Sequence, residues 1–156
     1  QTSGSSNKGG IAQLYYARQE DVYDTLALDE ALMTEAETLT ITQSFIDSNL
    51  FRIQFLQRTA NHDESHGSSG HGDQYSHVIE ARFRGDRPSV RAKRTYAKNH
   101  QLVMLWKDMN GLWKLTYGLT HNPTHNTGKE PKDTNSHTIQ WTGTTPLPAF
   151  TVTIST

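Results

Sequence analysis

The chain contains no cysteine. That excludes a disulfide framework, a thiolate-held zinc and a thiol nucleophile, and it fits a reducing compartment. No apolar run approaches the ~18 residues of a membrane-crossing helix, so no such span is expected. Apolar residues are scarce, at 33% hydrophobic with a mean hydropathy of -0.71. A chain so composed buries a thin core and gains part of its stability from neighbouring subunits. Net charge is also missing: the formal value is -1, which gives no global nucleic-acid footprint.

The familiar catalytic signatures are absent too. Gly9-Gly10 is not followed by Gly-Lys-Ser/Thr, so it is no phosphate loop, and no Gly-x-Ser-x-Gly elbow occurs. Asp29, Glu30, Glu35 and Glu37 form no paired-carboxylate motif. Neither an enzyme nor a cofactor is expected.

What the sequence does contain is strand pattern. Leu102 to Trp106 is continuously apolar, as a strand covered on both faces would be. Asp108-Met-Asn-Gly111 follows, then Trp113, Leu115 and Tyr117 alternate, so a hairpin is expected. Ile11 to Arg18 reads as a first strand, Thr25 to Glu30 as a short one, and Leu39 to Phe45 as a Thr-rich one. Leu50 to Arg58 and His77 to Arg84 alternate cleanly and predict one long hairpin, with a polar, mobile tip over Asn61 to Gln74. His137 to Thr142 and Phe150 to Ile154 complete the strands, around a polar loop from Thr120 to Asn135. Gln19 to Asp24 is turn-like, and Glu30 to Glu37 has helix-forming composition. Asp86 and Pro88 signal a helix start, with the helix running to about Lys98. These elements predict a mainly β fold, a β-sandwich or barrel with one flanking α-helix, over residues 11–156 as one domain. Gln1 to Gly10 is Ser/Gly/Asn-rich and predicts a flexible arm.

Charge is segregated along the chain. Residues 1–66 hold ten of the sixteen acids and four of the fifteen bases, and seven of the bases lie between Arg82 and Lys98. Segregation of this kind suits head-to-tail self-association. Histidine is clustered as well: His62, His66, His71 and His77 fall within sixteen residues. Imidazole with carboxylate suits Zn²⁺, Ni²⁺ or Cu²⁺, which makes His62, His66 and His71 metal candidates. The His62–His66 spacing aligns ligands on a helix, however, and Gly67, Gly70 and Gly72 argue against one. A solvated loop is the plainer expectation. Trp106, Trp113 and Trp141 are expected in the core, with a carbohydrate platform as the alternative.

In order and pattern the chain resembles tube-forming (major tail) structural proteins of tailed bacteriophages, of the Bacteroidetes phage and prophage type. The segments that carry the resemblance are Gly9 to Tyr16, Leu50 to Phe55, Leu102 to Trp113, Gly128 to Asn135, Thr138 to Gly143 and Ala149-Phe150. The resemblance implies a virion protein forming stacked, hexameric rings of a tail tube, assembled in the bacterial host cytoplasm. It implies as partners further copies of itself, other tail or neck proteins, and DNA passing through the lumen without specific binding. It implies no membrane partner. Interface candidates on this view are Arg58, His66 and His77 on the long hairpin, and Arg91 and Arg94 on the basic helix, which would face away from the channel. The alternatives are a head–tail connector or neck protein, and a β-sandwich module that binds carbohydrate or metal.

Overall fold

The structure, a computed structural model, describes residues 9–55, 58–69, 72–84, 100–124 and 136–155. The strands are β1 (Gly9–Arg18), β2 (Thr38–Thr42), β3 (Phe51–Ile53), β4 (Asn61–Ser69), β5 (Gly72–Arg84), β6 (Leu102–Asp108), β7 (Trp113–Thr124), β8 (Ser136–Thr145) and β9 (Phe150–Ser155). Three short helices lie among them: α1 (Gln19–Val22), α2 (Leu28–Met33) and α3 (Gln43–Asn49). The fold is mainly β, as the strand pattern predicts.

The nine strands form one mixed sheet in the order β2-β9-β7-β6-β1-β4-β5-β8, with β3 added to β1. β7 also pairs with β8 through Thr120–Thr124. That contact closes six strands, β1, β4, β5, β8, β7 and β6, into a circuit. β2 and β9 extend the sheet beyond it, running parallel from Thr38↔Thr151 to Thr42↔Ser155.

Closure depends on strands that change neighbours. β7 pairs with β9 over Trp113–Leu115 and with β8 from Thr120 onward. The switch occurs at Gly118, whose φ is +69, where the register with β6 slips between Leu102 and Met104. This is a β-bulge with glycine in the left-handed region, which bends the strand and raises its twist. The Gly118 N–H donates to Gln19 Oε1 at 2.7 Å. Gly143 of β8 faces the bulge; a methyl built there would meet the Gly118 carbonyl oxygen, with Gly118 C at 3.0 Å and Leu119 Cα at 3.2 Å. The two backbones approach this closely because position 143 has no side chain.

Two apolar clusters follow from the alternation. Leu102, Met104 and Trp106 of β6 enter one with Leu14, Ile79, Leu119 and Trp141. Val103 and Leu105 enter the other, under the helices, with Val22, Leu28, Ile46 and Phe150. The continuous apolar run of β6 therefore has the predicted cause: both faces are covered. Full burial of each such aliphatic side chain contributes about 1.5–3 kcal/mol.

The turn after β6 is fixed by Asp108. Its Oδ1 accepts from Asn110 N at 2.8 Å and Leu112 N at 2.9 Å, and Gly111 takes φ +88. An Asx-type turn with glycine at the left-handed position is what the Asp-Met-Asn-Gly sequence favours.

Elsewhere the structure departs from the sequence pattern. Thr25–Glu30 is not a strand: Ala27, at φ +53, leads into α2. Gln19–Val22 is one helical turn, not a simple turn. The Leu39–Phe45 run stops at Thr42, whose Oγ1 accepts from Phe45 N at 3.1 Å and caps α3; Ile46 of α3 and Leu50, its extended C-cap residue, are both buried. The strand expected over Leu50–Arg58 is only Phe51–Ile53, and Arg58 sits at φ +64. The long hairpin is therefore not Leu50–Arg58 with His77–Arg84. It is β4 with β5, in register from Asn61↔Glu80 to Ser69↔Gly72. The helix expected after Asp86, the 125–135 part of the expected loop, and residues 1–8 of the expected arm lie outside the described residues; Gly9 and Gly10 are in β1.

Candidate functional site

The segment expected as a mobile loop is strand because its alternate residues have somewhere to go. On β4, His62 and Glu64 point inward while Asn61 and Ser65 are exposed. Glu64 stands directly across from His77 of β5, and His62 across from Ile79. Opposed residues on one face are close enough for their side chains to interact, and two strands thus bring two imidazoles and a carboxylate together.

The geometry is compact. His62 Nε2 lies 3.2 Å from His77 Nδ1, and His77 Nδ1 lies 3.5 Å from Glu64 Oε1. Each outer group is held in turn. His77 Nε2 is 2.9 Å from Thr145 Oγ1. The Thr145 hydroxyl donates to Leu147 O at 2.6 Å, so its oxygen accepts from His77. Glu64 Oε1 accepts from Ala149 N at 2.9 Å. The His62 ring lies against Trp106, centroids 4.4 Å apart, and meets His77 edge to edge with the two rings 19° from parallel, centroids 5.5 Å apart.

Burial sets the charge state. His62 is 5% exposed and His77 1%. Desolvation pushes the His62 pKa down to about 3, aided by the fields of His77 and Lys114. Burial also lowers His77, against the opposing pull of Glu64. Both rings are neutral near pH 7, so each has one lone pair to offer. Among the described residues, His62, Glu64 and His77 are the one group of three whose ligand atoms all lie within 4.8 Å of one another.

The other sequence candidates fall elsewhere. His66 shares the β4 face but lies nearer the hairpin tip, exposed, 3.3 Å from Asp73 and against Tyr75. His71, Arg91 and Arg94 lie outside the described residues. Arg58 is exposed and lines an open cleft of about 440 Å³ with Arg52 and Met109. His77 is a correction: expected at a subunit contact, it is buried within its own chain and presents no surface. Trp106 and Trp141 are buried as core residues, at 2% and 4%, and form no sugar platform.

Glu64 lies among the clustered histidines, where imidazole with carboxylate suits a metal, but it was not singled out as a ligand, and Thr145 was not expected. The signal for Glu64 was the His62-x-Glu64 spacing, which places both on one face of a strand; a loop assignment hides it. Nothing local marks Thr145, which is 68 residues from His77. Comparison of the chain with protein-family models, curated proteins and solved structures finds no match.

Proposed function

We propose that the chain is a subunit of a self-assembling tube of the phage-tail kind, in which rings of subunits stack around a channel for DNA. The observation that carries this reading is a pair of open strand edges. Among the described residues, β2 is paired on one side only, with β9. β4 meets β1 only at Asn61 and His62, so among the described residues Asp63 to Ser69 too have one strand neighbour, β5.

Open edges invite pairing with another chain, and monomeric proteins blunt them with proline, lysine or bulges. The Thr38-Leu-Thr-Ile-Thr42 edge is short but has no proline, charge or bulge, and the Asp63–Ser69 edge has no proline, lysine or bulge, its two acids standing at Asp63 and Glu64. Two different edges on one subunit are what a head-to-tail ring requires, since each copy then offers one edge and receives another. Apolar side chains supply a second contact type. Met109 and Leu112, at the β6–β7 turn, are 55% and 54% exposed, placed to meet a neighbour at the end of the sheet. The segregated charge of the sequence supports the same polarity of assembly.

Negative-stain microscopy and sedimentation of the purified chain test this. Rings or filaments are expected. The pair Thr38→Lys and Thr40→Lys, at exposed β2 positions, is expected to reduce assembly while the circular dichroism of the subunit is kept. A wild-type chain that stays monomeric at high concentration overturns the reading.

A further inference from the structure

The cluster at the base of the β4–β5 hairpin has the form of a metal site. We propose that His62 Nε2, His77 Nδ1 and a Glu64 carboxylate oxygen together bind a divalent transition-metal ion of the Zn²⁺ class. The argument rests on spacing, donor direction and the groups behind the donors, and it is independent of the tube reading.

Spacing comes first. Zinc bonds to nitrogen and oxygen at about 2.0–2.2 Å, and tetrahedral angles then put ligand atoms about 3.3–3.5 Å apart. Two edges of the site are 3.2 Å, from His62 to His77, and 3.5 Å, from His77 to Glu64. The remaining edge lies within 4.8 Å, so turning the two rings off their common N–N axis toward Glu64 completes the triangle.

Donor direction follows from the hydrogen bonds. Thr145 spends its only proton on Leu147 O. Its oxygen can then only accept from His77, so His77 Nε2 carries the hydrogen. The lone pair of His77 is left on Nδ1, the atom that faces His62 and Glu64. A partner on the far nitrogen that fixes tautomer and ring orientation is the usual support of a metal-bound histidine. Glu64 has its own support in the Ala149 N–H.

The alternative filling of the space is one proton, donated by His62 Nε2 to His77 Nδ1. It leaves the Glu64 carboxylate facing the same occupied lone pair at 3.5 Å, with no hydrogen between them. A cation at the centre satisfies all three acceptors at once. Imidazole and carboxylate donors suit Zn²⁺, Cu²⁺ and Ni²⁺ better than Mg²⁺ or Ca²⁺. Three protein ligands leave one tetrahedral position, which water fills. The ion would link β4 and β5 to the end of β8 and to the segment before β9, since Thr145 and Ala149 hold its ligands from there.

The test is titration of the purified, EDTA-treated chain with Co²⁺ and with Zn²⁺. Co²⁺ is expected to bind one per chain, with the visible absorption of a tetrahedral N/O site and quenching of tryptophan fluorescence, because Trp106 lies against His62. Zn²⁺ should displace it and raise the melting temperature by several degrees, reversibly with EDTA. Glu64→Gln keeps the acceptor for Ala149 N–H but lowers affinity at least about tenfold, and Thr145→Val lowers it about 10–100-fold by releasing the tautomer. His66→Ala leaves binding unchanged. Folding of each variant is read by circular dichroism. If wild-type protein binds neither ion at millimolar concentration, the His62–His77 hydrogen bond is the whole content of the site and the proposal fails. It fails equally if Glu64→Gln, His77→Ala and wild type bind alike, since the ion then sits elsewhere on the histidine-rich hairpin.

Discussion

The close approach of β7 and β8 can be tested at one atom. In Gly143→Ala, the added methyl would collide with the Gly118 carbonyl oxygen and press on Gly118 C and Leu119 Cα, 3.0 and 3.2 Å away. All three are backbone atoms, so no flexible side chain can yield. Relief requires the two strands to part at the bulge. Overpacking of this kind costs about 1–3 kcal/mol, and weakening one or two of the adjoining Thr120–Thr142 ladder bonds adds about 1 kcal/mol each. The expected loss is about 2–5 kcal/mol, or about 5–20 °C in Tm for a chain of this size. Urea and thermal unfolding followed by tryptophan fluorescence measure it, with Trp141 two residues away in β8 as reporter. The control is Gly67→Ala, where a methyl meets nothing within 4 Å and the expected change is within about 0.5 kcal/mol. Equal stability of the two variants would refute the claim that position 143 must be glycine for the circuit to close.

Two further outcomes concern single polar groups. Asp108→Ala removes the acceptor for two backbone N–H groups of the β6–β7 turn and is expected to cost about 1–2 kcal/mol, whereas Asp108→Asn, which keeps the oxygen, recovers most of it in the same unfolding assay. Tyr117 is 8% exposed, and its hydroxyl has no hydrogen-bond partner among the described residues. Burial, with Tyr23 nearby, raises its pKa to about 12. The folded pKa lies above the unfolded value of 10.0, so the contribution is complete below pH 10 and is lost as pH rises toward 12, by about 2–3 kcal/mol in all. Tyr117→Phe is expected to be neutral or slightly stabilising at pH 7 and to lose less stability than wild type above pH 10. Parallel alkaline loss in the two proteins would show that Tyr117 is not the group responsible.

The tube and metal proposals separate cleanly. Assembly reports on the β2 and β4 edges, and metal binding reports on the interior of the β4–β5 hairpin. A metal-binding monomer would sink the first alone, and tubes whose subunits bind neither Co²⁺ nor Zn²⁺ would sink the second alone.

Local patterning determined much of this protein. The Leu102–Trp106 run, the Asp-Met-Asn-Gly turn and the alternation of Trp113, Leu115 and Tyr117 specify a hairpin covered on both faces, because apolar periodicity and turn chemistry act between near neighbours. Phe150, Val152 and Ile154 likewise specify a strand. The β4 strand was not legible. Asn61–Ser69 is polar and glycine-containing, and it is extended because β5 supplies a partner and His62 and Glu64 have a buried network to join. Strand propensity of that sort belongs to the environment more than to the residues. The site has the same origin. His77 and Thr145 are brought together across β5 and β8, Ala149 reaches Glu64 from the segment before β9, and Gly143 makes room for a bulge in a strand 25 residues earlier. Sequence supplied the ligand types and their period; only the pairing of distant strands could place their donor atoms around one point.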